Sequence, residues 1–256
     1  MVSLRAGMGA LAELNRNLFL NLNLAGVRSR LRKRLRLILP LLVLLAGCCS
    51  MPAADTNAVL TGWLAAQTNL HTWTADFTQT RTLKALTQPL VAIGHIAFAT
   101  PNNFRWELGQ PAKTIALRNG DEMFVIYPRL KRAEHYPMGK AAPGEWRDML
   151  SLLDAGFPRD RAGFDRQFRV LSLTETNGSW LLGLQPVSAF ARKMMTEIRV
   201  GLATNDFSLT SNELVFIDGS RMRNDFANPV MNPRLDASTF TWKPDADFKV
   251  TEPLAK

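Results

Sequence analysis

The side chains of this 256-residue chain that could serve as metal ligands, bases or nucleophiles form no motif whose spacing marks such a role. The three histidines are His71 at an expected helix end, His95 inside an apolar strand, and His135 in Ala133-Glu-His-Tyr-Pro137. None has a second His or a Cys at ligand spacing, and no His-Glu-x-x-His occurs, so no metal site is expected. Serine-elbow, phosphate-loop and dinucleotide fingerprints are absent as well, which leaves no cofactor to expect. Asp121-Glu122 and Asp245 with Asp247 are carboxylate pairs, but they sit in polar, turn-like stretches and read as solvated charges. A hydrolase or acyltransferase with dispersed catalytic groups stays open, although no nucleophile–base motif argues for one.

The two cysteines point to different chemistry. Cys48 and Cys49 are adjacent, and Cys49 has no partner downstream, so no disulfide holds the fold. Ahead of them lie the basic run Arg28 to Arg36 and the apolar Leu37 to Gly47, the n-region and h-region of an export signal. Eleven residues span about half of a ~30 Å hydrocarbon core, so a permanent membrane helix is the weaker reading. Leu45-Ala46-Gly47-Cys48 also resembles a bacterial lipobox, which would make Cys48 the acylated first residue of the mature protein. Two or three lipid chains would then anchor it stably; the alternative is an ordinary secretory signal with incidental cysteines. The expected organisation is an over-long leader and signal over 1–47, a tether over 48–55, and one domain over 56–256.

Charge supports that division. Residues 1–47 carry 8 basic groups and 1 acidic group, or +7, and the remaining 23 basic and 21 acidic groups leave +2. The basic character therefore resides in the leader, and no nucleic-acid partner is expected.

The elements that must position any site follow from hydrophobic period. Asp55 or Thr56 can cap a helix with Val59, Leu60, Trp63, Leu64 and Leu70 on one face. From Trp73 the period becomes two, and alternating segments recur through Val91–Phe98, Phe104–Leu108, Thr114–Leu117 and Met123–Tyr127, with a turn at Asn119-Gly120. Trp146, Met149, Leu150 and Leu153 predict a second helix over 144–153. Strands resume at Phe168–Leu173, Trp180–Leu184, Thr196–Leu202, Ser211–Ile217 and Arg221–Phe226, with turns at Asn177-Gly178 and Asp218-Gly219. About ten short strands without βα alternation favour an antiparallel curved sheet or barrel. Its many Trp, Phe and Met side chains could fill the interior or line a cavity, and period alone does not choose.

Phe77-Thr-Gln-Thr80, Gly94-His-Ile-Ala-Phe98, Pro101-Asn-Asn-Phe-Arg-Trp-Glu107, Pro111, Asn119-Gly120 and Tyr127-Pro-Arg-Leu-Lys-Arg132 occur in that order. Phe216-Ile-Asp-Gly-Ser-Arg221, Phe226-Ala-Asn-Pro-Val-Met-Asn232 and Phe240-Thr-Trp-Lys-Pro244 follow. The set resembles the LolA family of periplasmic lipoprotein carriers over about residues 58–250. The resemblance implies a mainly β fold with some α: an unclosed antiparallel β-barrel around a hydrophobic cavity, covered by helices, that holds the acyl chains of lipoproteins. Acylated lipoproteins or other acyl lipids become the expected partners, with an inner-membrane release complex or an outer-membrane acceptor. Trp63, Phe77, Phe98, Phe104, Trp106, Phe124 and Trp146 are the candidate cavity residues, and Arg105 matches an arginine that latches the lid helices through backbone hydrogen bonds. The apparent lipobox is more like LolB, the outer-membrane receptor of the same fold. Because Cys49, not Asp, follows Cys48, an inner-membrane retention signal is absent, and a periplasm-facing outer-membrane lipoprotein is expected, otherwise a soluble periplasmic protein. An envelope interaction protein with a filled interior is the competing class. The basic residues of 127–132 read as a solvated hairpin turn, or as a contact for anionic headgroups or an acidic partner.

Overall fold

A computed structural model describes residues 55–138 and 157–254. Helix α1 (Thr56–Gln67) leads into strands β1 (Thr72–Thr82), β2 (Leu90–Ala99), β3 (Asn103–Leu108), β4 (Thr114–Asn119), β5 (Glu122–Tyr127) and β6 (Arg132–Pro137). Then come α2 (Arg161–Gln167), β7 (Phe168–Thr176), β8 (Ser179–Pro186), the short α3 (Ala189–Arg192), β9 (Met195–Ala203), β10 (Leu209–Phe216), β11 (Arg221–Met231) and β12 (Lys249–Thr251). The helix expected over 144–153 lies outside the described residues, as do Trp146, Cys48 and Cys49.

All twelve strands form one sheet in the order β12-β6-β5-β4-β3-β2-β1-β11-β10-β9-β8-β7. Every pairing is antiparallel except β12 on β6, and the two ends do not meet. The sheet is curled, because Tyr136 of β6 and Phe168 of β7 share one apolar cluster although ten strand spacings, roughly 50 Å if flat, separate them. It is the antiparallel curved sheet that the alternating segments led one to expect, left open as a half-barrel as the family resemblance implied. Asn119-Gly120, Asn177-Gly178 and Asp218-Gly219 turn tightly between neighbouring strands, with Gly120, Asn177, Gly178 and Gly219 all at positive φ.

Alternation sets the two faces. On β1, Trp73, Ala75, Phe77, Gln79 and Arg81 are buried and point to the concave side. Phe226 on β11 and Trp106 on β3 join Phe77 there, the Phe77 and Trp106 rings lying 4.1 Å apart. Gly94 makes this possible, since a methyl group at that position would overlap the Phe77 ring and the Glu107 carbonyl. Helix α1, capped by the Asp55 carboxylate on Asn57 N at 2.9 Å, lays Leu60 and Trp63 into the same cluster.

The convex face has its own cover. Leu117, Ile126 and Ala133 form a second cluster with Phe124, Trp242 and Phe248, so the C-terminal segment wraps the outside of β4 to β6. A 3₁₀ turn over Ala237–Phe240 starts this strap, and β12 ends it beside β6. Lys131 ties the β5–β6 turn to the strap through Asp247 at 3.3 Å and the Phe248 ring, while Arg132 bonds Glu134 at 2.8 Å. Two of the three basic residues in 127–132 thus work inside the fold.

His135 clasps the strap. Its ring stacks on Phe124, its Nε2 faces Glu122, and its Nδ1 lies 3.3 Å from Glu252 beyond β12. Burial alone would lower its pKa, but the hydrogen bonds and charges of Glu122 and Glu252 outweigh that and hold it above the usual imidazole value. A raised folded pKa contributes stability that is complete below the unfolded value near ~6.5 and is lost as pH rises through the folded value. Amide exchange at Lys249–Thr251 should therefore speed up, beyond its intrinsic pH dependence, as pH rises above the ordinary imidazole value of about 6.5. Glu252→Gln should flatten that excess. Separately, Gly94→Val should lower the urea midpoint, at a cost of about 2 kcal/mol from overpacking against Phe77.

Candidate functional site

The concave face changes character along its length. Near the start of β1 it is aromatic: Trp73 meets Phe226 at 5.2 Å and Phe157 at 5.1 Å, and Phe157 stacks on Phe98 at 4.5 Å. Six residues further along β1, about 20 Å for an extended strand, it becomes polar. There Arg81 Nε donates to Gln79 Oε1 at 2.7 Å and Gln79 Nε2 to Asn224 Oδ1 at 2.9 Å. Asn224 Nδ2 in turn donates to Asn212 Oδ1 at 2.7 Å. Burial lowers the Arg81 pKa to about 10, which still leaves the guanidinium charged at neutral pH. Its positive end starts a run of donors all oriented toward β10. On the other side of the interior, Tyr136 donates to Glu134 at 2.8 Å, and burial followed by the Glu134 charge raises its pKa.

At the aromatic end, a cavity of about 260 Å³ opens between the C-terminus of α1 and the sheet. Gln67, Leu70, His71, Phe98, Phe157 and Arg159 line it. The gradient from aromatic mouth to polar base suits an apolar ligand entering at the mouth.

Five of the expected cavity residues come together. Trp63 is fully buried on α1, edge-on to Phe164 at 6.1 Å, and Phe77, Phe98, Phe104 and Trp106 pack in or against the same cluster. Phe124 does not join them. Met123 and Val125 take the concave positions of β5, so alternation turns Phe124 outward onto His135 and Trp242. Arg105 also faces outward, because Phe104 and Trp106 flank it on the concave side. Its Nε donates to Glu107 at 2.5 Å and its Nη1 to the Thr239 carbonyl at 3.4 Å. What it reaches is therefore the strap, on the face opposite to α1. Sequence reasoning missed the Gln79–Asn224–Asn212 chain and the Gln67 wall; Gln79 and Arg81, polar where the alternation of β1 calls for apolar residues, were the available signal.

The other polar candidates occupy structural roles. His95 Nδ1 lies 2.9 Å from Asp76, whose pKa is lowered first by the Asn228 hydrogen bond and then by His95. Asp245 and Asp247 face Lys131, and Glu122 faces His135. Among the described residues no group of three His, Cys, Asp or Glu side chains could hold a metal ion.

An open half-barrel with an aromatic concave face under a helix is the architecture of a ligand-binding protein. The model of the family "Outer membrane lipoprotein carrier protein LolA" matches residues 68–243, and the chain belongs to that family of carriers. An "Outer-membrane lipoprotein carrier protein" from Methylibium petroleiphilum is 26% identical over 219 residues, covering 85% of this chain and 98% of the relative. Its namesake from Dechloromonas aromatica is 23% identical over 182 residues, covering 71% and 82%. A LolA superfamily protein of known structure from Nitrosomonas europaea aligns with a TM-score of 0.40 at 9% identity, over 74% of this chain and 99% of that one.

The polar base makes a direct prediction. Asn224→Leu would strand Gln79 Nε2 and Asn212 Oδ1 in the interior, and should cost about 1–3 kcal/mol per stranded group. Urea unfolding measures it, and a loss below a few tenths would show that the chain of bonds contributes little.

Proposed function

We propose that this protein binds the acyl chains of lipoproteins, or of related lipids, on its concave face and carries or receives them in the cell envelope. The observation that carries the reading is the aromatic mouth beneath α1 in a member of a lipoprotein carrier family. Each methylene removed from water is worth about 0.8 kcal/mol, so a long acyl chain gains on the order of 10 kcal/mol from an apolar host. Transfer then needs a cover that opens cheaply, and α1 is a short helix with only Val59, Leu60 and Trp63 buried. Residues 1–47 act as the export signal, Cys48 is the lipidated first residue, and 48–55 tether the domain to a membrane facing the periplasm. Among the described residues no helix is long and apolar enough to cross a membrane.

The test is displacement of an environment-sensitive apolar dye from the purified protein by a triacylated lipopeptide, with the unacylated peptide as control. Saturable displacement by the acylated form alone is expected. A folded protein that takes up no dye would instead be an envelope interaction protein with a filled interior. Cys48→Ala should move the protein out of the membrane fraction, and wild-type levels there would sink the lipid anchor. Arg105→Leu should keep native circular dichroism and speed amide exchange in Ala237–Phe240 while leaving acyl release as it is; a changed release rate would instead make Arg105 a latch for the lid.

A further inference from the structure

Two buried polar atoms on α1 have no hydrogen-bond partner among the described residues: the Trp63 indole Nε1–H and the Gln67 side-chain Oε1. Native folds satisfy nearly all such groups, and leaving one dry and unpaired is costly. Here two occur one helical turn apart, at i and i+4 on the same face, where Cβ atoms are about 5–6 Å apart. Gln67 also lines the mouth cavity, whose apolar walls include Leu70, Phe98 and Phe157.

The two atoms are chemically complementary. An indole nitrogen only donates, and a side-chain amide oxygen only accepts. A ligand that satisfies both must bring an acceptor and a donor on neighbouring atoms at the head of an apolar body. Esters and carboxylates lack the donor. A hydroxyl carries both functions on one atom and bridges only partners that lie within about 5 Å of each other. A trans secondary amide presents its oxygen and its N–H on opposite edges, and so fits between them.

We propose that Trp63 and Gln67 form a polar subsite for the secondary amide of an N-acylated cargo. The amide oxygen accepts from Trp63 Nε1, the amide N–H donates to Gln67 Oε1, and the acyl chain runs against Phe98 and Phe157. Trp63 is 0% exposed in this structure, so the amide reaches the indole as α1 lifts. This inference rests on the acyl-chain reading given above and adds the linkage by which the chain is recognised.

The experiment uses the full chain with a bound apolar dye and two competitors, N-propyl lauramide and propyl laurate, which differ only in N–H against O. A triacylated lipopeptide serves as the reference competitor. The amide should displace dye at about one-tenth the concentration the ester needs, the factor that one well-placed hydrogen bond supplies. Gln67→Leu should erase the preference, so that amide and ester displace dye at the same concentration, while Trp63→Phe should weaken amide and ester alike, with circular dichroism confirming the fold. Should Trp63→Phe fail to fold, Gln67→Leu decides alone. Equal displacement by amide and ester from the wild-type protein, with the lipopeptide still effective, overturns the amide subsite and leaves the acyl-chain reading standing. No displacement by the lipopeptide overturns both.

Discussion

The packing of Phe77 against Trp106 and Phe226 is the contact on which the rest of the architecture depends. These rings come from β1, β3 and β11, neighbouring regions of one sheet, and all project from the same face. Twelve strands with an apolar face on one side cannot stay flat in water, because no second layer is long enough to cover them. Curling brings the face onto itself, and the missing Cβ of Gly94 lets the β1 and β2 positions at the centre of that curl close up. The outer face follows the opposite rule: across β9 to β11 it carries alternating charges, with Arg199 held between Glu197 at 2.9 Å and Glu213 at 3.0 Å. A sheet so divided can bend in only one direction.

Curling without closing leaves two edges, and each is managed differently. β6 is covered by the three-residue β12 and the strap that brings it there, fixed by Trp242, Phe248 and the His135 clasp. β7 remains an edge, but a register break between Val170 and Ser172 bends it, and Arg169 and Glu175 flank the bend with charge. Such features discourage pairing with another sheet. Keeping the half-barrel open is therefore an organised state, and it leaves the aromatic mouth reachable from beneath α1.

Much of this was legible in the sequence. The three- and four-residue spacing of Val59, Leu60, Trp63 and Leu64 marked α1, and the two-residue spacing from Trp73 onward marked the strands. The elements that escaped notice are those whose buried positions are polar or few. β6 buries Glu134 next to Tyr136, so a charge sits where the pattern calls for an apolar residue. α2 buries only Phe164 in seven residues, and β12 is too short to have a period. Period also assigns residues to faces without saying which face is concave. Phe124 illustrates the loss: it is as large and apolar as Phe104, yet a second, outer cluster claims it. Arg105 could be placed opposite Phe104 by alternation, but its partner Thr239 lies 134 residues away, beyond anything local spacing can express.

Helix α1, in the role of lid proposed for it, joins function to marginal stability. α1 is fixed to the sheet by Leu60 and Trp63, and by Phe207 lying against Gly62, where any larger side chain would collide with the ring. Against those contacts stand the unpaired Trp63 and Gln67 polar atoms, each costing about 1–3 kcal/mol in the closed state. Were the helix to lift, water would satisfy both atoms, so the penalty would disappear and the net cost of exposure would fall. An apolar replacement at either position would hold the lid more firmly, but a tighter lid retains or excludes cargo more strongly, which is a disadvantage to a carrier. The polar atoms thus bring the closed and open states closer in free energy, and a ligand able to bond both atoms would restore to the closed state what their burial removes.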